Sequence, residues 1–81
     1  MANLSREEKI AEIKRKIAEL DDQSFAGKAK DIESLPEEEQ RALIQLFHDE
    51  KKDKLKTWRK KKPDLVKRLE AVASRLGETL P

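Results

Sequence analysis

The amino-acid sequence predicts an all-α protein, a small bundle of three to four helices of which one is long. Ala, Glu, Lys, Leu and Arg make up 48 of the 81 residues, and these side chains lose little rotamer freedom in a helix. Strand-forming residues are scarce, with two Val, two Thr and no Tyr. Apolar residues also recur at helical spacing between clear start and stop signals. We therefore expect residues 1–81 to form a single helical domain.

The first helix is predicted to begin at Ser5. Ser5 and Glu8 have the spacing of a capping box, in which the hydroxyl and carboxylate satisfy backbone amides of the first turn. Four apolar residues follow at helical spacing, namely Ile10, Ile13, Ile17 and Leu20. They predict one narrow buried face.

A short second helix is predicted from Gln23 to Leu35, with Asp21 and Asp22 ending the first pattern and offering a cap. Gly27 lowers its intrinsic helix stability by roughly 1 kcal/mol relative to Ala. One face of this segment is apolar and carries Phe25, Ala29, Ile32 and Leu35. We expect this helix to depend on packing.

The third helix is predicted to start at Pro36, followed by three Glu residues that suit the positive end of the helix macrodipole. Its apolar face is interrupted by charged residues at Glu50, Lys51 and Lys54, and Leu55 and Trp58 then restore it. No Gly or Pro interrupts the stretch. We therefore favour one long continuous helix over two helices broken between residues 48 and 53.

The fourth helix is predicted to start at Pro63 and to end at Gly77. Proline disfavours a helical residue before it but suits a first turn, whereas glycine suits the left-handed residue after a helix. Across all the helices we expect a buried layer of twelve residues: Ile10, Ile13, Ile17, Leu20, Phe25, Ile32, Leu43, Phe47, Leu65, Leu69, Val72 and Leu76.

Charge is distributed unevenly along the chain. Residues 1–50 carry a formal charge of −5 and residues 51–81 carry +7. The densest segment is KKDKLKTWRKKK, residues 51–62, with eight Lys or Arg and one acid, Asp53. We call residues 51–62 the basic arm. Such a surface attracts an anionic partner, although the chain's own acidic half is another candidate.

Nucleic acid is the partner that the basic arm favours, ahead of an acidic protein or a membrane surface. Lysines bind phosphates by releasing counterions, and an aromatic ring among them can stack on an unpaired base. Core packing is the competing explanation for Trp58. The candidate nucleic-acid-binding residues are Lys51, Lys52, Lys54, Lys56, Trp58, Arg59, Lys60, Lys61, Lys62, Lys67 and Arg68.

Two other functions remain open. The chain could be a protein-protein adaptor or inhibitor, docking a partner through the exposed part of the third helix or an uncovered apolar patch near Leu46, Leu55 and Trp58. It could also self-associate, with the acidic half of one copy meeting the basic half of another. Binding that weakens steeply with salt distinguishes nucleic acid from a protein interface.

The sequence offers no catalytic or metal-binding motif, so we expect a non-enzymatic protein without a cofactor or metal. It has no Cys, and its one histidine, His48, has no second His or Cys to complete a transition-metal site. It also lacks an apolar run of roughly 18 residues and an apolar leader. We therefore expect a soluble, unexported protein in the cytoplasm.

Overall fold

A computed structural model describes residues 5–81, which form five α-helices, one short 3₁₀ turn and no strand. The helices are α1 (Arg6–Ala18), α2 (Asp22–Lys30), α3 (Glu37–Asp49), α4 (Lys52–Lys61) and α5 (Pro63–Arg75), and the 3₁₀ turn spans Ile32–Ser34. The predicted all-α class is confirmed. The predicted number of helices and the single long helix are wrong, because no helix in this part of the chain exceeds 13 residues.

The predicted long third helix is two helices, and the chain turns at Glu50 and Lys51. Both residues leave helical geometry, with φ of −151° at Glu50 and −111° at Lys51. Their amides both donate to the Leu46 carbonyl at 2.9 Å, which closes α3. A straight continuation would have carried Leu55 and Trp58 away from the core, and the turn buries both. Burial of apolar surface therefore outweighs local helix propensity here.

Helix α3 lies at the centre of the packing. Helix α1 packs on α3, and α3 also contacts α4 and α5. Helices α4 and α5 pack against each other, while α2 and the 3₁₀ turn contact α5. The buried Gln40 joins the 3₁₀ turn to α3, since its Nε2 donates to the Ile32 carbonyl at 2.8 Å.

The predicted helix ends at Ser5, Asp21, Pro63 and Gly77 are present. Ser5 Oγ accepts from the Glu8 amide at 3.1 Å, and Asp21 Oδ1 accepts from the Ser24 amide at 2.7 Å. Gly77 has a φ of 75°, and the Glu78 amide donates to the Ala73 carbonyl at 2.8 Å. This is the glycine-terminated end that the sequence pattern indicates. Helix α2 is shorter than predicted and ends at Lys30.

Eight of the twelve predicted core residues are buried, and Ile13, Leu20, Leu65 and Leu76 are partly buried against them. The buried set also contains Leu46, Leu55 and Trp58, which are 2, 1 and 6% exposed. The prediction of an uncovered apolar patch at these three residues is therefore wrong. No helix of residues 5–81 combines the length and the apolar character needed to cross a membrane.

Candidate functional site

The basic arm consists of Lys51, helix α4 and Lys62. Helix α4 is anchored by Leu55 and Trp58, the two residues of its inner face that are buried. Because side chains in an α-helix repeat every 3.6 residues, the burial of this face determines which of the lysines point outwards.

The outer face of α4 carries a row of lysines spaced by four residues, which we call the outer stripe: Lys52, Lys56 and Lys60. All three are exposed, and none forms an ion pair with a carboxylate of residues 5–81. Lys61 is likewise exposed and unpaired within these residues. The helix therefore presents these ammonium groups to solvent on a fixed backbone.

Two other cations of the basic arm are held by carboxylates. Lys54 Nζ lies 2.8 Å from Asp22 Oδ1, and Arg59 Nη1 lies 3.1 Å from Glu70 Oε2. A hydrogen bond from Lys54, together with its positive charge, holds the pKa of Asp22 below its usual value. Arg59 also donates to the Pro81 carbonyl at 2.6 Å. These two side chains link α4 to α2 and α5.

The residues at the two ends of the basic arm lie against aromatic rings. Lys51 Nζ is 5.1 Å from the centroid of the Phe25 ring, and Lys62 Nζ is 5.6 Å from that of Trp58. Both distances allow an attraction between the ammonium and the ring face. Lys51 is half-buried and Lys62 is exposed, and both ammonium groups lie over a ring of the core.

Trp58 is part of the core and not of the exposed arm surface. It is only 6% exposed, and its ring centroid lies 5.9 Å from those of Phe25 and Phe47. Phe25 and Phe47 are themselves 5.7 Å apart, edge to face. The three rings form one cluster, so the indole face is not available to stack on a base.

The remaining candidates, Lys67 and Arg68, lie on α5. Lys67 is exposed, while Arg68 Nη1 donates to the Lys30 carbonyl at 3.0 Å and Arg68 Nε lies 3.8 Å from Glu33. Arg68 borders a cleft of about 450 Å³ that also includes Lys30, Lys61 and Lys62. Lys30 is absent from the predicted site because its proximity to residues 61–68 arises from tertiary packing and leaves no local sequence signal.

Most basic side chains of the acidic half, residues 1–50, form ion pairs, whereas most of those in the basic arm do not. Among the described residues up to Glu50, five of the eight basic side chains form ion pairs. In the basic arm only Lys54 and Arg59 do so, out of eight. Within residues 5–81, the acidic half neutralises the basic half only through Lys54 and Arg68. Much of the positive charge therefore remains open to another molecule.

His48 is exposed at the end of α3, and its Nε2 lies 2.5 Å from the Thr79 carbonyl. It therefore helps to hold the C-terminal segment on α3. Residues 5–81 contain no cluster of three or more His, Asp or Glu side chains that could hold a metal ion.

Comparisons of this chain with protein-family models, with curated proteins and with solved structures give no match.

Proposed function

We propose that the protein is a non-enzymatic binding module that engages the phosphate backbone of nucleic acid through its basic arm. The observation that supports this proposal is the outer stripe, in which Lys52, Lys56 and Lys60 stand in one exposed row without carboxylate partners among residues 5–81. Trp58 is not part of the proposed contact because it is buried.

The stripe suits a polyanion better than a single small anion. Eight residues of helix place Lys52 and Lys60 about 12 Å apart along the axis. A DNA duplex carries one charge per about 1.7 Å, or about seven charges over that length. Three flexible lysines can therefore each find a phosphate, and binding releases counterions. Because lysine contacts to phosphates do not read base edges, sequence selectivity should be weak.

The test is a titration of labelled single- and double-stranded DNA and RNA, followed by anisotropy at about 50, 150 and 300 mM salt. Lys61 and the three stripe lysines give about four phosphate contacts, so log K should fall with log salt with a slope of about −3.6 for duplex DNA or about −2.8 for a single strand. This corresponds to a loss of affinity of over 100-fold between the lowest and highest salt.

A matched pair of triple variants tests whether the outer stripe is the binding surface. Lys52→Gln, Lys56→Gln and Lys60→Gln together should weaken binding at low salt and bring the slope close to −1. The control replaces three exposed cations without ion pairs in residues 5–81, by Lys9→Gln, Arg15→Gln and Arg75→Gln. It lowers net charge equally and should retain most of the affinity. Equal losses in both triple variants would reject the stripe as the binding surface.

Absence of nucleic-acid binding even at about 50 mM salt would reject the proposal. The basic arm would then be better explained as a docking surface for an acidic protein. Sedimentation of the protein alone at low and high salt would report self-association between the acidic and basic halves.

A further inference from the structure

A cleft lies between the second half of α2 and the junction of α4 with α5. We call it the α2–α5 cleft. Its volume is about 450 Å³, within the range of pockets that hold small ligands. Its lining residues come from three helices and the α4–α5 junction, and those that matter here are Gly27, Lys30, Lys61, Lys62, Asp64 and Arg68.

Four cations border the α2–α5 cleft, and Asp64 is the one acid among its lining residues. Arg68 is positioned by its hydrogen bond to the Lys30 carbonyl, and it also pairs with Glu33. Lys30, Lys61 and Lys62, by contrast, have no carboxylate partner within residues 5–81. These like charges repel one another, and an anion placed among them relieves that repulsion.

Gly27 lines the cleft on its α2 side. A Cβ added at Gly27 would meet no atom within 4 Å, and the residue does not have a positive φ. Glycine is therefore not required here by the backbone. A side chain added at position 27 has open space to extend into.

The α2–α5 cleft is continuous with the outer stripe. Lys61 lines the cleft and also borders a surface depression that contains Lys56 and Lys60. A polyanion lying along α4 therefore reaches the cleft at the end of the helix without leaving the positive surface.

From this arrangement we propose that the α2–α5 cleft receives a backbone phosphate of the nucleic acid that the outer stripe binds. Lys30, Lys61 and Arg68 contact this phosphate. The inference rests on the proposed function and extends the binding surface to α2, which lies outside the basic arm. It also predicts that the nucleic acid follows a path from α4 across the α4–α5 junction towards α2.

The experiment compares two pairs of variants in the oligonucleotide titration. Lys30→Gln should weaken binding several-fold at low salt, because the phosphate in the cleft loses one of its three cations. The salt slope should become shallower by less than the roughly 0.7 to 0.9 of a whole phosphate contact, since Lys61 and Arg68 remain. The control, Lys9→Gln, removes an exposed charge from α1, which packs on α3, and should have a much smaller effect. Circular dichroism checks that each variant is folded.

The second pair tests whether a negative charge added to the cleft weakens binding. Gly27→Glu and Gly27→Gln add side chains of nearly equal size where space is open. Gly27→Glu should bind the oligonucleotide at least several-fold more weakly than Gly27→Gln, because its carboxylate competes with the phosphate for Lys30 and Lys61.

The outcomes separate the cleft from the proposed function. If the wild-type protein binds with a steep salt slope but Lys30→Gln matches Lys9→Gln and Gly27→Glu matches Gly27→Gln, the cleft is not a phosphate site and the stripe acts alone. If the wild-type protein binds no oligonucleotide, the proposed function fails and this inference fails with it.

Discussion

Replacing Trp58 with leucine should destabilise the protein without weakening its binding to nucleic acid. The indole is 6% exposed and lies 5.9 Å from both phenylalanine rings of the core. Removing a buried aromatic side chain altogether costs about 3–5 kcal/mol, and because leucine keeps part of the volume we expect about 2–4 kcal/mol. The whole chain should be stable by about 4–12 kcal/mol at its length, which leaves the variant about 0–10 kcal/mol. Circular dichroism under the conditions of the binding assay checks that the variant is folded.

Phe47→Leu is the matched control, because Phe47 belongs to the same aromatic cluster but lies outside the basic arm. Urea unfolding followed by far-ultraviolet circular dichroism gives the free energy of unfolding of both variants. Anisotropy with a labelled oligonucleotide at low salt gives their affinities. We expect both variants to lose stability and both to bind within about two-fold of wild type, since every cation of the arm is retained.

Stacking of Trp58 on a base would give the opposite pattern. Loss of one stacked base contact costs about 1–3 kcal/mol, or a loss of affinity of about 5- to 150-fold. If Trp58→Leu loses affinity to this extent while Phe47→Leu does not, and its free energy of unfolding stays near that of wild type, the assignment of Trp58 to the core is wrong.

Three further predictions concern the fold. Gly27→Ala should raise the free energy of unfolding by about 0.5–1 kcal/mol, because position 27 is helical and an added Cβ meets nothing. Gly77→Ala should lower the free energy of unfolding by about 1–2 kcal/mol, because Gly77 has a φ of 75°. Urea unfolding measures both variants. Changes of the same sign would contradict either the helical conformation of Gly27 or the left-handed conformation of Gly77. Lys54→Gln should raise the pKa of Asp22 towards its usual value near 3.8, since Lys54 causes the lowering. A carboxyl group with a lowered pKa stabilises the fold above its unfolded pKa and loses that contribution as the pH falls, so the stability difference between Lys54→Gln and wild type should shrink below about pH 4. Carbon NMR of the carboxyl groups measures the pKa, and an unchanged value in Lys54→Gln would show that this ion pair does not form in solution.

Local signals predicted most of the helix ends because the physics that sets them is local. A serine or aspartate cap, a proline in a first turn and a glycine after a last turn each act on amides or carbonyls a few residues away. Ser5, Asp21, Pro63 and Gly77 all act in this way. The fold class follows from the same information, since helix-forming residues dominate the chain.

The turn at Glu50 and Lys51 could not be predicted in the same way. Neither residue breaks a helix by its own chemistry, and the sequence there contains no Gly or Pro. What ends α3 is the burial of Leu55 and Trp58, which depends on where α2 and α5 lie. The charged interruption of the apolar face was a signal of this turn, but its interpretation required the tertiary packing.

The candidate site could likewise be predicted only in part. A high density of positive charge in residues 51–62 is a property of composition and is visible in the sequence. Pairing of Lys54 with Asp22 and of Arg59 with Glu70 joins residues 32 and 11 positions apart, and the approach of Lys30 to Lys61 spans 31 positions. The structure shows that Lys52, Lys56 and Lys60 lie together on the face of α4 that points outwards.

The turn between α3 and α4 gives the basic arm one buried face and one exposed face. In a continuous helix projecting from the core, Leu55 and Trp58 would be exposed and the lysines would surround the helix on all sides. The turn returns these two apolar side chains to the core, and the helical repeat then places Lys52, Lys56 and Lys60 away from it. The same turn brings the end of α4 beside α2, where Lys61 meets the cleft that contains Lys30. The charge is set by composition, but its arrangement into a stripe that leads to a cleft depends on the burial of two apolar residues within the arm itself.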